Sequence, residues 1–184
     1  MMENMKNNVQ NLTLTALMTA ILCIMGPIVV PVGMVPMSIA NMAIYLTIIL
    51  LDKKKAFVSI VIYLLIGFIG IPVFSGFSAG AGKLFGPTGG YLIGYLVLSF
   101  VGGKLLENEK GQRNKKTVSQ FFALSVGTLG LYIVGTAWLM YQSKLDLVTA
   151  LSVGVFPFIF LDFIKIILAI SFGNAIKKRI MYVM

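Results

Sequence analysis

Residues 157–171 read PFIFLDFIKIILAIS, an aliphatic and aromatic run broken only by Asp162 and Lys165. A charged side chain at the centre of a bilayer costs about 2.5–3.5 kcal/mol on insertion scales. The run reads as a membrane span, and the two charges inside it need a reason.

The rest of the chain has the same character. Its 184 residues are 58% hydrophobic and 11% charged, with a mean hydropathy of +0.95. A soluble domain is about 45–50% apolar and about a quarter charged. The composition indicates an integral membrane protein of one domain, 1–184. There is no histidine, which excludes a Ser-His-Asp triad and removes the commonest metal ligand. The single cysteine, Cys23, has no internal partner. The opening MMENMKNNVQNLTLTALMTAILC lacks a convincing small-x-small cleavage site and reads as a retained first span.

Uncharged runs set the spans. Residues 7–51 carry no charge; 56–82, 84–103 and 117–143 follow, and 147–176 holds only Asp162 and Lys165. A helix needs about 20 residues to cross, so 7–51 holds two, separated where Pro27, Pro31 and Pro36 forbid a continuous helix. The result is an all-α bundle of six transmembrane helices, at 10–27, 37–51, 55–72, 88–106, 117–141 and 157–177. Nothing alternates with the period of a membrane barrel, and no internal repeat is evident.

Six spans put both termini on one side. Lys6, Lys53, Lys54, Lys55, Lys104, Lys110, Arg113, Lys115, Lys116, Lys177, Lys178 and Arg179 lie on that side; only Lys83 and Lys144 lie on the other. By the positive-inside rule the termini are cytoplasmic. The net charge of +9 is thereby explained by topology, and no nucleic-acid partner is expected. Two longer connections face outside, 28–36 and the Gly/Ser-rich 71–90. Trp138 and Tyr141 fall where interfacial aromatics are expected.

Asp162 and Lys165, three apart, share a helix face. With Pro157 as the first helical residue, they lie about 7 and 12 Å below the outer end. Two readings stand side by side: an ion pair joining helices, or a binding path reached from outside. GAGKLFGPTGG at 80–90 resembles a nucleotide loop only superficially, because Phe77 stands where the first Walker glycine belongs and Leu84 replaces the hydroxyl residue. Gly86, Gly89 and Gly90 allow tight turns, and the free N–H groups of the fourth span's start form either an anion site or a plain hairpin. Ala16/Ala20 and Gly90/Gly94 are small-residue pairs that let helices approach closely.

FSAGAGKLFGPTGGYLIGY at 77–95, FLDFIKIILA at 160–169 and ALMTA at 16–20 together give the chain its nearest likeness. Over its whole length it resembles the biotin-specific S components of energy-coupling factor (ECF) transporters. The resemblance implies capture of biotin outside a bacterial cell membrane, with a transmembrane coupling subunit and two cytoplasmic ATPases driving uptake. It implies no cofactor, no metal and no enzymatic activity in this chain. Asp162 and Lys165 would be ligand residues, Gly86, Gly89, Gly90 and Tyr91 would wall the pocket, and Ala16 and Ala20 would dock on the coupling subunit. Phe77, Phe85 and Tyr91 suit the vitamin's apolar parts, and Lys83 or Lys165 suits its carboxylate. One departure is visible. Family members often read Val-Pro-Phe-Thr-Leu-Gln entering the second span, whereas this chain reads VPMSIA. Ser38 keeps the hydroxyl, Ala40 loses the amide, and Asn41, one place on, is expected to face elsewhere.

Chemically, a cyclic urea brings two N–H donors and a carbonyl, which match a carboxylate and an ammonium through charge-assisted bonds. The competing readings are an S component for thiamin or riboflavin, a solitary proton-coupled carrier titrating Asp162, and a structural subunit whose Asp–Lys pair only joins helices.

Overall fold

The computed structural model describes residues 2–30, 35, 37–108 and 116–183, with side chains over 9–30, 35, 38–108 and 117–179. Pro31, Pro36, Lys110, Arg113 and Lys115, used above, lie outside the described residues, as do the side chains of Lys6 and Lys116.

Eight helices are described: α1 (Met2–Met25), α2 (Ala40–Leu50), α3 (Lys53–Phe68), α4 (Ala81–Leu84), α5 (Gly89–Asn108), α6 (Lys116–Ser143), α7 (Leu147–Gly154) and α8 (Phe156–Val183). A two-residue antiparallel ribbon, β1 (Val29–Val30) with β2 (Met37–Ser38), sits between α1 and α2. The architecture is helical, as its apolar runs require, since backbone in lipid must bond within its own helix. Three stretches are long and apolar enough to cross a membrane: 89–108, 117–143 and 147–179. The apolar parts of α1 and α2, Val9–Met25 and Ala40–Leu50, are shorter.

Several boundaries differ from the sequence reading. The second span, expected from residue 37, begins at Ala40, because Met37 and Ser38 pair with Val30 and Val29 instead. The third begins at Lys53 and stops at Phe68, so its basic cluster forms the first helical turn. The connection after it turns at Gly70 and Gly76, both with positive φ, a backbone state glycine adopts without a Cβ clash. The last helix starts at Phe156, one residue before Pro157, and a separate short α7 precedes it.

At the centre is α2, with Ala40, Ala43, Ile44, Tyr45, Thr47, Ile48 and Ile49 all buried. It packs on α8 most extensively and also meets α1, α5 and α3. The largest helix–helix contact is α5 on α6. Glycines on both faces make it close: Gly90 lies against Trp138 and Gly94 against Leu131, while Gly127 lies against Leu98 and Gly135 against the Tyr91 ring. A side chain at any of these would separate the helices. The Gly90/Gly94 pair therefore serves internal packing. By contrast α6 and α8 meet over a smaller area, joined by a reciprocal amide pair. Gln120 Nε2 donates to Asn174 Oδ1 at 3.1 Å, and Asn174 Nδ2 donates to Gln120 Oε1 at 2.9 Å.

Candidate functional site

About 9 Å along α8 from its start, Asp162 is 2% exposed. Lys165, one turn on, donates to its Oδ1 at 3.0 Å. From α6, the Tyr132 hydroxyl donates to Oδ2 at 2.7 Å. From the first turn of α2, Asn41 Nδ2 bridges both oxygens, at 3.2 Å to Oδ1 and 3.1 Å to Oδ2. A carboxylate offers about four acceptor directions; here three protein donors make four contacts with it, the Asn41 amide nitrogen being shared between the two oxygens.

The network extends outward. Asn41 Oδ1 accepts from the Tyr95 hydroxyl of α5 at 3.0 Å. Lys165 Nζ also donates to the Ser38 carbonyl at 3.0 Å. An ammonium has three hydrogens, so one remains without an acceptor among the described residues. The hydroxyl of Ser38 is spent on backbone, donating to the Gly26 carbonyl at 3.2 Å and accepting from Ala40 N–H at 2.9 Å. Tyr91 donates to the Gly154 carbonyl at 3.1 Å. Four helices thus contribute polar groups to one buried cluster whose ion pair sums to zero charge.

Beside this cluster is a cavity of about 50 Å³, walled by Asn41, Tyr91, Tyr95, Tyr132, Asp162 and Lys165 with apolar residues such as Phe158. It has room for a few waters and for no ring system. An apolar groove of about 620 Å³ runs between α6, α7 and α8. Tyr132 and Asp162 border both spaces, so their 2.7 Å hydrogen bond is part of the partition.

With that geometry established, the comparisons are direct. A family model described as the BioY family matches residues 1–182. The chain belongs to the BioY family. It is 39% identical over 179 residues to "Biotin transporter BioY2" of Lactococcus lactis subsp. cremoris, covering 97% of this chain and 95% of that protein. It is 35% identical over 161 residues to "Biotin transporter BioY" of Thermotoga maritima, covering 87% and 91%. Among solved structures, the S-component for biotin from an ECF-type ABC transporter superposes with a TM-score of 0.86 at 32% identity, covering 94% of this chain and 93% of that one.

In this BioY-family chain the candidate residues separate into two groups. Asp162, Lys165, Ser38 and Tyr91 meet at the polar cavity. Phe77 and Phe85 are exposed, and neither they nor Lys83, Gly86, Gly89 or Gly90 border that cavity. The glycines of GPTGG serve contact: Gly89 abuts the Leu84 carbonyl and Gly90 abuts Trp138, and none of the three has positive φ. Trp138, read as an interfacial aromatic, covers Gly90 and donates its indole N–H to the Gly86 carbonyl at 2.9 Å. Gln142 likewise holds the Phe85 carbonyl at 2.8 Å, so the turn is pinned to the end of α6. Partial burial lowers the Lys83 ammonium from its ordinary value. Ala16 and Ala20 lie on an exposed face of α1, beside exposed Leu17 and Ile24.

Three cluster residues escaped the sequence reading. Asn41 was expected to face elsewhere; because α2 starts at Ala40, Asn41 sits in its first turn and turns toward Asp162. Tyr95 closes the GPTGGYLIGY stretch but was assigned no role there, and Tyr132 carried no motif. The signal available for Tyr95 was its spacing from Tyr91, one helical turn on the same face.

Proposed function

We propose that this chain is the biotin-capturing membrane subunit of an ECF-type importer, taking the vitamin from outside a bacterial cell and passing it inward when partner ATPases act on a coupling subunit. The observation that carries the reading is the buried Asp162–Lys165 pair, 3.0 Å apart, bordering a cavity walled by tyrosines in a chain of this family. The free hydrogen of Lys165 suits the carbonyl of a cyclic urea, and Asp162 suits its N–H groups. Because the pair sums to zero charge, the neutral head of biotin takes the deep position and the carboxylate faces the mouth.

The positions of the basic residues support six crossings with cytoplasmic termini. The exposed Ala16–Ala20 face on α1 supports close docking of the coupling subunit there. The first outer connection is the candidate gate; its residues 31–34 and 36 lie outside the described residues. Hydrolysis of ATP belongs to the partners, since no nucleotide loop occurs in this sequence.

Isothermal titration of the purified protein in lipid nanodiscs tests the reading. Biotin is expected to bind with submicromolar affinity, and Asp162→Asn to abolish that binding. A wild-type protein silent to biotin, or an Asp162→Asn variant that binds as well as wild type, rejects it. Thiamin and riboflavin titrated alongside identify the vitamin if biotin fails.

A further inference from the structure

Three protein donors already sit on Asp162 before any guest arrives. Lys165 and Tyr132 each take one oxygen at 3.0 and 2.7 Å, and Asn41 bridges both at 3.2 and 3.1 Å. With the carboxylate 2% exposed behind them, guest N–H groups reach it by replacing one of these donors. The amide of Asn41 is the one to leave. Its two contacts are the longest of the four. Tyr132 holds a short bond, and Lys165 carries the compensating charge, whose removal would leave a buried carboxylate unpaired at severe cost.

The chemistry of the leaving group matches that of the guest. A side-chain carboxamide is half a urea: N–H groups on one side and a carbonyl on the other. Asn41 uses both, donating to Asp162 and accepting from Tyr95 at 3.0 Å. The neighbouring cavity of about 50 Å³ is too small for a fused ring system, and Asn41 is one of its walls. We infer that the Asn41 carboxamide is an internal stand-in for the ligand's urea head, held in place by Tyr95, and that binding is an exchange in which the guest's N–H groups take over its bonds to Asp162. This rests on the proposed assignment of Asp162 to a cyclic urea.

The exchange has a sign that an ordinary structural hydrogen bond lacks. Removing the stand-in weakens the empty protein but strengthens binding, because the guest no longer displaces a competitor. In the wild-type protein the groups facing Asp162 are Lys165 from its own helix, Tyr132 from α6, and Asn41 from α2, the last held by Tyr95 from α5. Asn41→Ala leaves Lys165 and Tyr132 on the carboxylate and removes the acceptor of the Tyr95 hydroxyl.

The test is titration with biotin and thermal melting of wild type, Asn41→Ala, Tyr95→Phe and the combined variant in nanodiscs. Asn41→Ala is expected to bind biotin about tenfold more tightly, equivalent to about 1.4 kcal/mol, while melting lower without ligand. Tyr95→Phe, which frees the amide to turn, is expected to gain about threefold. Combined, the two should gain less than the sum of the single effects, because Tyr95 orients the amide that Asn41→Ala removes. Unchanged or weaker binding by Asn41→Ala, or independent additive effects, overturns the inference. If Asn41→Ala does not fold, a Tyr95→Phe affinity equal to or below wild type overturns it alone. Failure of the vitamin reading looks different: wild type then ignores biotin, or Asp162→Asn keeps the affinity.

Discussion

Replacing Lys165 by methionine keeps the length of the stem and removes the ammonium. The structure fixes what is lost. Nζ makes 3.0 Å bonds to Asp162 Oδ1 and to the Ser38 carbonyl, and has one hydrogen to spare. Its side chain is 13% exposed and that of Asp162 3%, so water cannot replace these bonds cheaply. Removing one partner of a buried pair costs about 3–5 kcal/mol. Asp162 keeps Tyr132 and Asn41, which places the loss of stability near the lower end. For binding, a hydrogen bond from a charged donor contributes about 1.5–3 kcal/mol net, which is about ten- to a hundredfold in affinity. The unpaired carboxylate also repels an anionic vitamin. Melting curves and biotin titrations on Lys165→Met read the two losses separately. The companion Asp162→Asn/Lys165→Met is electrically neutral, and neutral replacement of a buried pair is often harmless to stability. It should melt near wild type yet bind no biotin, because Asp162→Asn alone abolishes binding. Biotin affinity of Lys165→Met within about threefold of wild type, or affinity regained by the neutral double variant, would refute the reasoning.

Other consequences follow from single contacts. Tyr132→Phe removes the 2.7 Å bond to Asp162 and should lower stability by about 1.5–3 kcal/mol, read by thermal melting. Gly90→Ala drives a methyl group into Trp138 and should cost about 1–3 kcal/mol as overpacking; Trp138→Ala in the same protein should recover part of it. Enlarging Ala16 and Ala20 to leucine should leave biotin titrations unchanged and lower ATP-driven uptake in cells carrying a complete ECF module, because the altered face is the proposed docking surface and does not border the polar cavity. Asp146 caps α7 by accepting from the Thr149 N–H at 3.2 Å, and that hydrogen bonding holds its carboxyl below the ordinary 3.8. A carboxyl lowered on folding contributes stability above its unfolded value and loses it as pH falls through the folded one. Melting of the wild type should therefore drop below about pH 4 by an increment that Asp146→Ala lacks.

Composition and charge made the helical membrane architecture legible, because hydrocarbon permits few alternatives and an uncharged run of the right length is nearly unambiguous. What escaped was local. The two-residue ribbon that delays α2 to Ala40 depends on Val29 and Val30 meeting Met37 and Ser38, a pairing that no hydropathy window registers. The short α7 was hidden because residues 147–156 are as apolar as the helix that follows. Its boundary is set by Val155, where the backbone departs from helical geometry at φ −131°. Glycines in GPTGG suggested turns, and the turns exist, with Gly86 and Gly89 N–H groups closing onto Lys83 and Gly86. Their lack of a side chain is needed for another reason, the approach of Leu84 and Trp138, which is a property of distant sequence.

The candidate site divides along the same line. Asp162 and Lys165 could be read from one helix because a charge in an apolar run is conspicuous and three-residue spacing fixes a shared face. Tyr132 is an ordinary residue for a membrane helix, and nothing in its own segment distinguishes it from tyrosines such as Tyr63, whose hydroxyl donates to the Val73 carbonyl; Tyr95 closes the GPTGGYLIGY stretch, which gave no reason to aim it at Asn41. They become functional candidates only when α5 and α6 close on glycines and bring the Tyr132 hydroxyl to the carboxylate and the Tyr95 hydroxyl to the Asn41 amide that lies on it. The case of Asn41 is sharper. One place on from Ala40, where the family's amide stands, it was expected to face elsewhere unless the helix rotates. With the helix starting at Ala40, the amide points inward and completes the shell around Asp162. The carboxylate that stood out as a candidate binding group was therefore not legible as one already held by three donors, and that shell is what makes the proposed binding an exchange of donors instead of a simple addition.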